Sequence, residues 1–528
     1  MRSRAPFWTY RLIALGSLYS IAFSYGLTSI GHESNMAALS GVLVGNAILQ
    51  MSLIIGLTML GMGIGGFISG FVKEDATTEI NQFVRTEVLL TLFAGTSAIQ
   101  AYAASLTDNY VLLIGISYAT MSSLVGFEDA LLIRIMNRKL AHLGKAIGYT
   151  YLLNNAGGAL VGLLYPLIFL PLWGMTGTAY AFGLFDGVIT LGLIWYFRKE
   201  VRHIWIWLSM HLTTILILVC LTLSNNYIPM IIEQHGYTVS VSKTYRDGKG
   251  TRQILEDQSG NVWLYINYQL MFSSRDERIY HEMHAQPALA LASQQYPDRP
   301  ISVLIIGGGD GLLVREMLSS DRVGSVTLVD MDETMTGVLA VSEPLLTLNE
   351  GALYDERVTV VNAEGFGWLK KGSSLFDLIL VDLPDPETPD LARLYTVEFY
   401  QAAQGRLQPG GILVTQATSP YMAPEAYWGI ARTMEEVFPY VHSYQAALPS
   451  LRIWGWQLGT RKPFHPSDVQ IDEKNTVWLT QEVWETSHIF GKSATDNRPI
   501  DQIQGDVLPS TLRDPRILFY YEQVNWNN

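Results

Sequence analysis

The sequence has 528 residues, more than one ordinary domain holds, and a slightly positive mean hydropathy that is high for a soluble enzyme. Its net charge is −13, yet the first 223 residues are nearly neutral, so the acidic excess belongs to the remainder. An acidic domain disfavours nucleic acid, whose phosphates require a basic footprint, and suits a cationic substrate. The single cysteine, Cys220, excludes an intrachain disulfide and a cysteine metal cluster.

Residues 1–223 are predicted to be an α-helical transmembrane domain. Apolar stretches long enough to cross a bilayer recur along this half, and because others follow the first, that one is not a cleavable signal peptide. The seven stretches lie near 9–30, 40–70, 87–106, 110–135, 147–171, 175–197 and 203–223.

Basic residues lie before the first stretch or at its start, and then around every second connection, which predicts the orientation. The intervening connections, near 31–37, 107–109 and 172–174, carry none. This pattern predicts a multi-pass protein of the inner membrane with a cytoplasmic N-terminus. Seven crossings would put the C-terminal half outside, so the side on which that half lies stays open. The basic residues are Arg2, Arg4, Arg11, Lys73, Arg85, Arg134, Arg138, Lys139, Lys145, Arg198, Lys199 and Arg202.

Two acids, Glu128 and Asp129, fall inside the fourth stretch. Ionisable residues within a membrane span are candidates for ion coupling or transport. The alternative is structural, a pair near the water interface or one hydrogen-bonded to Asn154 and Asn155 of the next helix.

The remaining chain is predicted to hold a linker, a small antiparallel β entry domain, a Rossmann-like domain and a C-terminal extension. The entry domain rests on short β-like runs separated by turn signals at Asp247-Gly248 and Ser259-Gly260, followed by a helix over about 276–294. In order, these regions cover 224–236, 237–285, 286–460 and 461–528, and the β-like runs cover 238–242, 253–256 and 262–266.

A strand–turn–helix unit opens the Rossmann-like domain, with a strand at 301–306 and a helix at 312–318. The turn between them contains Gly307, Gly308, Gly309, Asp310 and Gly311, whose glycines let the backbone approach a ligand closely. Further strands at 325–329, 358–361, 377–381 and 411–416 predict a mostly parallel, doubly wound α/β sheet.

Acidic residues follow the predicted strands, where ligands of such sheets bind. Asp330 lies 23 positions after Gly307, about where a ribose-binding carboxylate belongs. Buried carboxylates are costly without partners, so a cluster of them predicts a site rather than packing. Without a Walker lysine or a third dinucleotide glycine at Leu312, the pattern favours a neutral nucleoside or a cationic sulfonium. The acids are Asp310, Asp330, Glu364, Asp382 and Asp385.

Over roughly 237–460 these segments resemble the spermidine synthase family, the polyamine aminopropyltransferases, and the whole chain is similar to a membrane-fused branch of it. The resemblance implies transfer of an aminopropyl group from decarboxylated S-adenosylmethionine, a co-substrate, to a putrescine-like amine. Methylthioadenosine leaves as a neutral thioether, and neither a permanent cofactor nor a metal is implied. The matching segments are 275–283, 304–311 with Arg315 and Glu316, 329–332, 377–386, 394–400 and 407–416.

The resemblance also implies residue roles. Asp382 would be the base, Asp385 a second amine anchor, and Asp310 the partner of the donor's ammonium group. Asp330 would hold the ribose, and the glycine turn would lie against the nucleoside. The remaining positions would be Glu364 and Gly365 at the adenine, Pro389 at the thioadenosine, and Tyr280 and His281 along the amine channel.

Some positions depart from the family pattern. Glu364 stands where the family has Asp, and Asp330 where it often has Glu. The glutamine that would contact the nucleoside is either Gln253 or Gln269. Arg452 would repel a diamine if it pointed into the amine channel, and would be harmless if it faced solvent.

Three other functions are compatible with parts of the sequence. A zinc site at His281, Glu282 and His284 lacks the usual spacing and a third ligand. A methyltransferase is disfavoured because Asp310 would repel the carboxylate that a methyl donor keeps. A membrane transporter or sensor would bind polyamine or nucleoside without turnover, supported by Glu128 and Asp129. The partners expected are small molecules and the lipid membrane, with a second copy of the chain as a further candidate.

Overall fold

The computed structural model describes residues 7–44, 47–105, 107, 109–224, 240–247, 250–266, 269–492 and 499–522. The chain divides into two compact units. The helical unit comprises residues 1–253 with 266–268, and the α/β unit comprises 254–265 with 269–528. The predicted linker lies outside the described residues from position 225 onward.

Long helices make up the described part of the helical unit before residue 224. Four segments are long and apolar enough to cross a membrane, or five if the bent pair α3 and α4 counts as one span. The helices are α1 (Phe7–Val44), α2 (Ala47–Ser69), α3 (Ala76–Gly95), α4 (Ser97–Ser105), α5 (Tyr110–Leu140), α6 (Leu143–Leu164), α7 (Leu170–Tyr196) and α8 (Ile204–Leu223).

The predicted break at 31–37 is wrong, because these residues lie inside α1. The polar side chain of Asn35 is compatible with a buried helix because it finds partners elsewhere in the helical unit. Asn35 donates a hydrogen bond of 2.9 Å to the carbonyl of Met175 and accepts one of 3.2 Å from Tyr165. The predicted break at 172–174 is marked only by Gly174, whose φ of +63° interrupts helical geometry within α7.

A small four-stranded sheet follows, in which strands consecutive in the chain are neighbours. The third predicted run is confirmed, the second begins three residues earlier, and the first is described from Ser240 onward. A fourth strand was not predicted. The strands are β1 (Ser240–Asp247), β2 (Gly250–Glu256), β3 (Val262–Ile266) and β4 (Gln269–Ser273).

The α/β unit is built on a seven-stranded sheet in the order β10-β11-β9-β8-β5-β6-β7. Strands β7, β6, β5, β8 and β9 run parallel, and β11 is antiparallel to both β9 and β10. The strands are β5 (Ile301–Gly307), β6 (Val323–Asp330), β7 (Val358–Asn362), β8 (Phe376–Asp382), β9 (Leu407–Gln416), β10 (Tyr440–Leu448) and β11 (Arg452–Thr460).

Helices cover both faces of this sheet. The central strands are therefore buried on both sides, which explains their near-continuous apolar sequences. The helix predicted over 312–318 has those bounds. The helices are α9 (Glu277–Gln295), α10 (Leu312–Leu318), α11 (Leu345–Leu348), α12 (Gly365–Lys371), α13 (Pro389–Ala392), α14 (Val397–Gln404), α15 (Pro424–Glu435), α16 (Gln481–Thr486) and α17 (Arg516–Glu522).

Two hydrophobic cores result, one on each face of the sheet. Alternate residues of β5 show this, since Leu304 packs in one core and Val303 in the other. Residues 461–528, predicted as an extension, contribute Trp484 to one core and Ile517 to the other. The C-terminal segment is therefore part of the α/β unit.

Candidate active site

The register of the parallel strands brings the predicted acids to one edge of the sheet. Gly307 at the end of β5 pairs with Asp382 at the end of β8, and Asp330 at the end of β6 pairs with Asn362 at the end of β7. Since all these strands run in the same direction, their carboxyl ends form a single edge, as the sequence predicted.

The glycine turn after β5 requires residues without a side chain. Gly307, Gly308 and Gly311 have φ values of +81°, +66° and +82°, in the left-handed region that glycine favours. A Cβ at Gly307 would lie 1.9 Å from the carbonyl oxygen of Asp382. The turn thus fits directly against the end of β8.

Asp330 is tied to this turn through its carboxylate. Its Oδ2 accepts a hydrogen bond of 3.0 Å from the backbone N–H of Gly309, and its Oδ1 accepts one of 2.6 Å from that of Asp332. Burial raises the pKa of Asp330 to about 6. The carboxylate is fixed beside the turn, as a ribose-binding acid of this fold class requires.

Asp382 has its two carboxylate oxygens in different surroundings. Oδ1 accepts a hydrogen bond of 2.7 Å from the Tyr280 hydroxyl, and Oδ2 faces the glycine turn, where a Cβ at Gly308 would lie 3.1 Å away. Burial raises the pKa of Asp382, although the neighbouring His281 and the Tyr280 hydrogen bond oppose the shift. A buried carboxylate of raised pKa is a stronger base than an ordinary aspartate.

His284 lies beside the same carboxylate, with its Nδ1 3.9 Å from Asp382 Oδ1. Burial lowers the pKa of His284 to about 3, so its ring is neutral near pH 7 and forms no ion pair with Asp382. No signal in the sequence places this histidine against Asp382.

Asp385 lies on the loop after β8 and is held by residues distant in sequence. Its carboxylate accepts hydrogen bonds of 3.2 Å from Gln416 Nε2 and from Thr418 Oγ1, and another from Tyr521. Burial raises its pKa to about 6, and these hydrogen bonds oppose the shift. Gln416 ends β9, so the strand-end rule could have found it, whereas no sequence signal marks Tyr521.

A further acid, Glu387, follows two residues later and was not predicted. Its carboxylate accepts a hydrogen bond from Gln269, and burial raises its pKa to about 7, with a further contribution from the charge of Asp385. Of the two glutamines considered from sequence, Gln269 is therefore the one in contact with this acidic group. Two acids, Asp385 and Glu387, stand together on this loop.

Asp310 combines a capping contact with an unusual pKa. Its Oδ1 accepts a hydrogen bond of 2.9 Å from the backbone N–H of Leu312, at the start of α10. Burial raises the pKa of Asp310 to about 6, the charge of Asp382 adds to the rise, and His281 opposes it. The carboxyl is thus close enough to Asp382 and His281 to interact with both.

Glu364 and Pro389 have structural contacts of their own. Glu364 caps α12, since its two oxygens accept hydrogen bonds of 2.9 and 2.7 Å from the backbone N–H groups of Phe366 and Gly367. Arg393 lies 3.2 Å from the same carboxylate. Gly365 is the first residue of α12, and Pro389 opens α13 and is exposed.

His281 is buried on α9 and points to a different partner from Tyr280. Its Nδ1 lies 2.9 Å from Glu277 Oε2, and Glu277 also accepts hydrogen bonds of 2.8 and 3.0 Å from Arg315. Burial alone would raise the pKa of Glu277, but the hydrogen bonds and charges of His281 and Arg315 lower it to about 2. The glutamate bonded to His281 therefore carries a full negative charge.

The neighbouring Glu282 is also held by hydrogen bonds. It accepts bonds of 2.8, 2.9 and 2.7 Å from the backbone N–H groups of Val477, Trp478 and Leu479. His281 and Glu282 are therefore bonded to other groups, whereas both nitrogens of His284 are buried without a hydrogen-bond partner among the described residues. Arg452, the other open position, is exposed, with Nη1 3.2 Å from the Met422 sulfur.

Comparisons with known proteins agree with this architecture. The Spermine/spermidine synthase domain matches residues 277–470. The polyamine aminopropyltransferase of Oceanobacillus iheyensis is 32% identical over 521 residues, covering 96% of this chain and 98% of that protein. Polyamine aminopropyltransferase 1 of Streptomyces coelicolor is 32% identical, covering 94% of this chain and 92% of that protein. Both alignments include the helical unit as well as the α/β unit.

Among solved structures, a spermidine synthase from Thermotoga maritima is 28% identical and covers 47% of this chain and 84% of its own, with a TM-score of 0.42. A spermidine synthase in complex with the transition state analogue AdoDATO is 26% identical and covers 51% of this chain and 89% of its own, with a TM-score of 0.43.

Proposed function

Since the chain belongs to the family of polyamine aminopropyltransferases, we propose that its transfer reaction takes place at the carboxyl edge of the parallel sheet. The observation that carries this proposal is the arrangement of the Asp382 carboxylate. One of its oxygens accepts a hydrogen bond from Tyr280, and the other faces the glycine turn. A donor bound against that turn would have its reacting carbon beside a base.

The reaction moves an aminopropyl group from decarboxylated S-adenosylmethionine to an amine. The amine lone pair attacks the methylene carbon bonded to the sulfonium, a new C–N bond forms, and the C–S bond breaks with its electrons going to sulfur. Methylthioadenosine leaves as a neutral thioether, and the nitrogen must lose one proton. An alkyl amine is mostly protonated near neutral pH, so a positioned base is required.

Asp382 is proposed as that base. Its raised pKa is closer to the pKa of an alkyl amine than that of an ordinary aspartate is, and the hydrogen bond from Tyr280 fixes the orientation of its carboxylate. His284 stays neutral beside it and therefore does not compete with the substrate's positive charge.

Asp385 and Glu387 are proposed to hold the far ammonium group of the acceptor. Two carboxyl groups on one loop suit a second cationic nitrogen, which favours a putrescine-like diamine over a monoamine. Arg452 is exposed, which supports the solvent-facing alternative and is compatible with a diamine.

The donor would be held by the remaining strand-end residues. Asp330 is proposed to bind the ribose hydroxyls and Asp310 the aminopropyl ammonium. Glu364 already caps α12, so we expect it to contact the adenine with the lone pairs that its backbone bonds leave available, next to Gly365. Pro389 would line the thioadenosine pocket and Tyr280 and His281 the amine channel.

The helical unit is proposed to anchor the enzyme in the inner membrane as a multi-pass domain with a cytoplasmic N-terminus. The four long apolar helices support this proposal, as does the alternation of basic residues along the sequence.

The test offers the purified full-length enzyme decarboxylated S-adenosylmethionine with a panel of amines and measures release of methylthioadenosine. Putrescine should be a far better acceptor than butylamine, which has the same carbon chain and lacks the second ammonium. Equal rates with both amines would contradict the role of Asp385 and Glu387.

The base is tested with Asp382→Asn, which should reduce kcat by about 10² to 10⁴ while donor affinity is largely kept. Loss of donor binding instead would show that Asp382 acts on the donor and not as the base. Asp506→Asn, at an exposed carboxylate after the core strands, is the control and should retain full activity.

A further inference from the structure

A cavity of about 30 Å³ lies inside the helical unit, among helices α1, α3, α5 and α7. Its acidic lining residues are Glu87 of α3, Glu128 and Asp129 of α5, and Asp186 of α7. From α1 come His32 and Tyr25. This volume holds a group of about the size of one or two water molecules.

The carboxyl groups that line this cavity have no Lys or Arg beside them, and His32 is the basic side chain among the described lining residues. Glu87 and Glu128 are each 2% exposed and Asp186 is 6% exposed, and neither Lys nor Arg occurs among the described residues that line the cavity. Burying several carboxylates together is strongly unfavourable unless each is neutralised or paired with a cation. Their charge must therefore be balanced by protons or by a bound cation.

Hydrogen-bond capacity that the described residues leave unused points to a ligand. Glu87 Oε1, Glu128 Oε1 and the Tyr25 hydroxyl are buried without a hydrogen-bond partner among the described residues. Both nitrogens of His32 are in the same situation, and its Nε2 lies 3.8 Å from Asp186 Oδ2. Buried polar atoms normally have partners, so this group of atoms calls for a ligand that bonds to several of them.

Other polar contacts fix the acids in place. Thr190 donates a hydrogen bond of 3.2 Å to Glu87 Oε2, and Asn154 donates one of 3.3 Å to Asp129 Oδ2. The contact with Asn154 matches half of the structural alternative drawn from sequence, since Asn155 donates to the Tyr151 carbonyl instead. Asp129 therefore has a structural partner. The side chains of Glu87 and Glu128 hydrogen-bond to each other, and one oxygen of each keeps no further partner among the described residues.

A primary ammonium group has the properties that these atoms require. It is a compact cation with three N–H donors and no acceptor, so it satisfies carboxylate and hydroxyl oxygens at the same time. We propose that this cavity is a second amine site, in which the helical unit binds a terminal ammonium group of a di- or polyamine. The choice of an amine over another cation rests on the proposed function, because the acceptor and product of the transfer reaction belong to that chemical class.

The test measures binding of radiolabelled putrescine and spermidine to the full-length chain in detergent. The background carries Asp382→Asn, Asp385→Asn and Glu387→Gln, so that the proposed transfer site no longer holds the acceptor. We expect saturable binding in this background, weakened by about tenfold or more when Glu128→Gln is added, because one charged hydrogen bond is worth roughly that factor. Glu87→Gln should act in the same way and serves as the second variant if the first does not fold.

The control is Glu33→Gln, a carboxylate on the same helix as His32 that interacts with Thr58 and is not among the cavity-lining residues. It should leave amine binding unchanged. Sodium, potassium and ammonium chloride are tested as competitors, and we expect ammonium to displace the amine more strongly than either metal ion. Displacement by sodium with no effect of ammonium would overturn the assignment to an amine.

Transfer activity separates this inference from the proposed function. An enzyme that carries only the Glu128→Gln substitution should release methylthioadenosine at the normal rate. Equal amine binding with and without Glu128→Gln would contradict the proposed second amine site, even if the transfer rate is normal. Conversely, absence of transfer activity in the unmodified enzyme would refute the proposed function. If Glu128→Gln still weakened amine binding in that case, the second amine site would be supported on its own.

Discussion

The Tyr280 hydroxyl donates a hydrogen bond of 2.7 Å to Asp382. Tyr280→Phe keeps the ring, which packs 5.4 Å from Trp456, and removes only this hydrogen bond. We expect kcat to fall about tenfold, because a base that is no longer held in one orientation meets the amine proton less often. The KM for the donor should stay the same.

Tyr296→Phe is the matched control, since it also removes a tyrosine hydrogen bond, of 2.9 Å, to the carbonyl of Pro409. It should leave both constants unchanged. An unaltered kcat in Tyr280→Phe would show that the orientation of Asp382 does not depend on this contact.

Several acids of the site titrate near neutrality, which predicts the acidic limb of the pH profile. Burial raises the pKa values of Asp310, Asp330 and Asp385 to about 6 each. Their proposed roles require the charged form, so kcat/KM should decline as the pH falls through about 6, well above the range of ordinary aspartates near 4. A profile that stays flat down to about pH 5 would contradict these roles.

At the scale of elements, the turn after β5 links the nucleoside site to the sheet. Gly309 has no positive φ, but a Cβ there would lie 2.7 Å from Asp330 Oδ2. Gly309→Ala should therefore displace the proposed ribose acid without straining the backbone. We expect the donor KM to rise about tenfold or more while the melting temperature changes little.

Gly337→Ala provides the comparison, because a Cβ at Gly337 meets nothing within 4 Å. Its donor KM should equal that of the unmodified enzyme. A similar rise in both variants would mean that the effect comes from the substitution of glycine in general and not from Asp330.

The elements differ in how well the sequence predicted them. Strands β5 and β8 are apolar runs buried on both faces, so their positions were clear from sequence. Strands β10 and β11 were missed because polar residues interrupt their apolar pattern, as His442, Ser443 and Gln445 do in β10.

The site shows the same division. The acids that follow strands were predicted, because the fold itself places strand ends together. Tyr521, Thr418 and His284 were not, because they reach the site through tertiary packing that leaves no local pattern. Glu364 was predicted as a strand-end acid, but its use as the cap of α12 depends on the backbone geometry of that turn.

On the scale of the whole molecule, the helical unit was harder to predict than the α/β unit. Polar residues near 31–37 suggested a loop, yet they lie within the continuous helix α1 because Asn35 finds partners on other segments. The segment 143–196 likewise contains the interruption at Gly174. The parity of crossings, and with it the side of the α/β unit, therefore needs a direct measurement.

The side of each connection can be measured with reporter fusions placed after Lys73, Thr107, Lys199 and Ser224. Each fusion is scored with a cytoplasmic and an extracytoplasmic reporter. Basic residues predict cytoplasmic signals at Lys73 and Lys199 and an external signal at Thr107. Helix α8 has 20 residues, a length of about 30 Å that matches the hydrocarbon core of a bilayer, so Ser224 should report the side opposite to Lys199. That result would require the donor to be available outside the cytoplasm. Cytoplasmic signals at both positions would instead show that α8 does not cross, and the enzyme would then draw its donor from the cytosol.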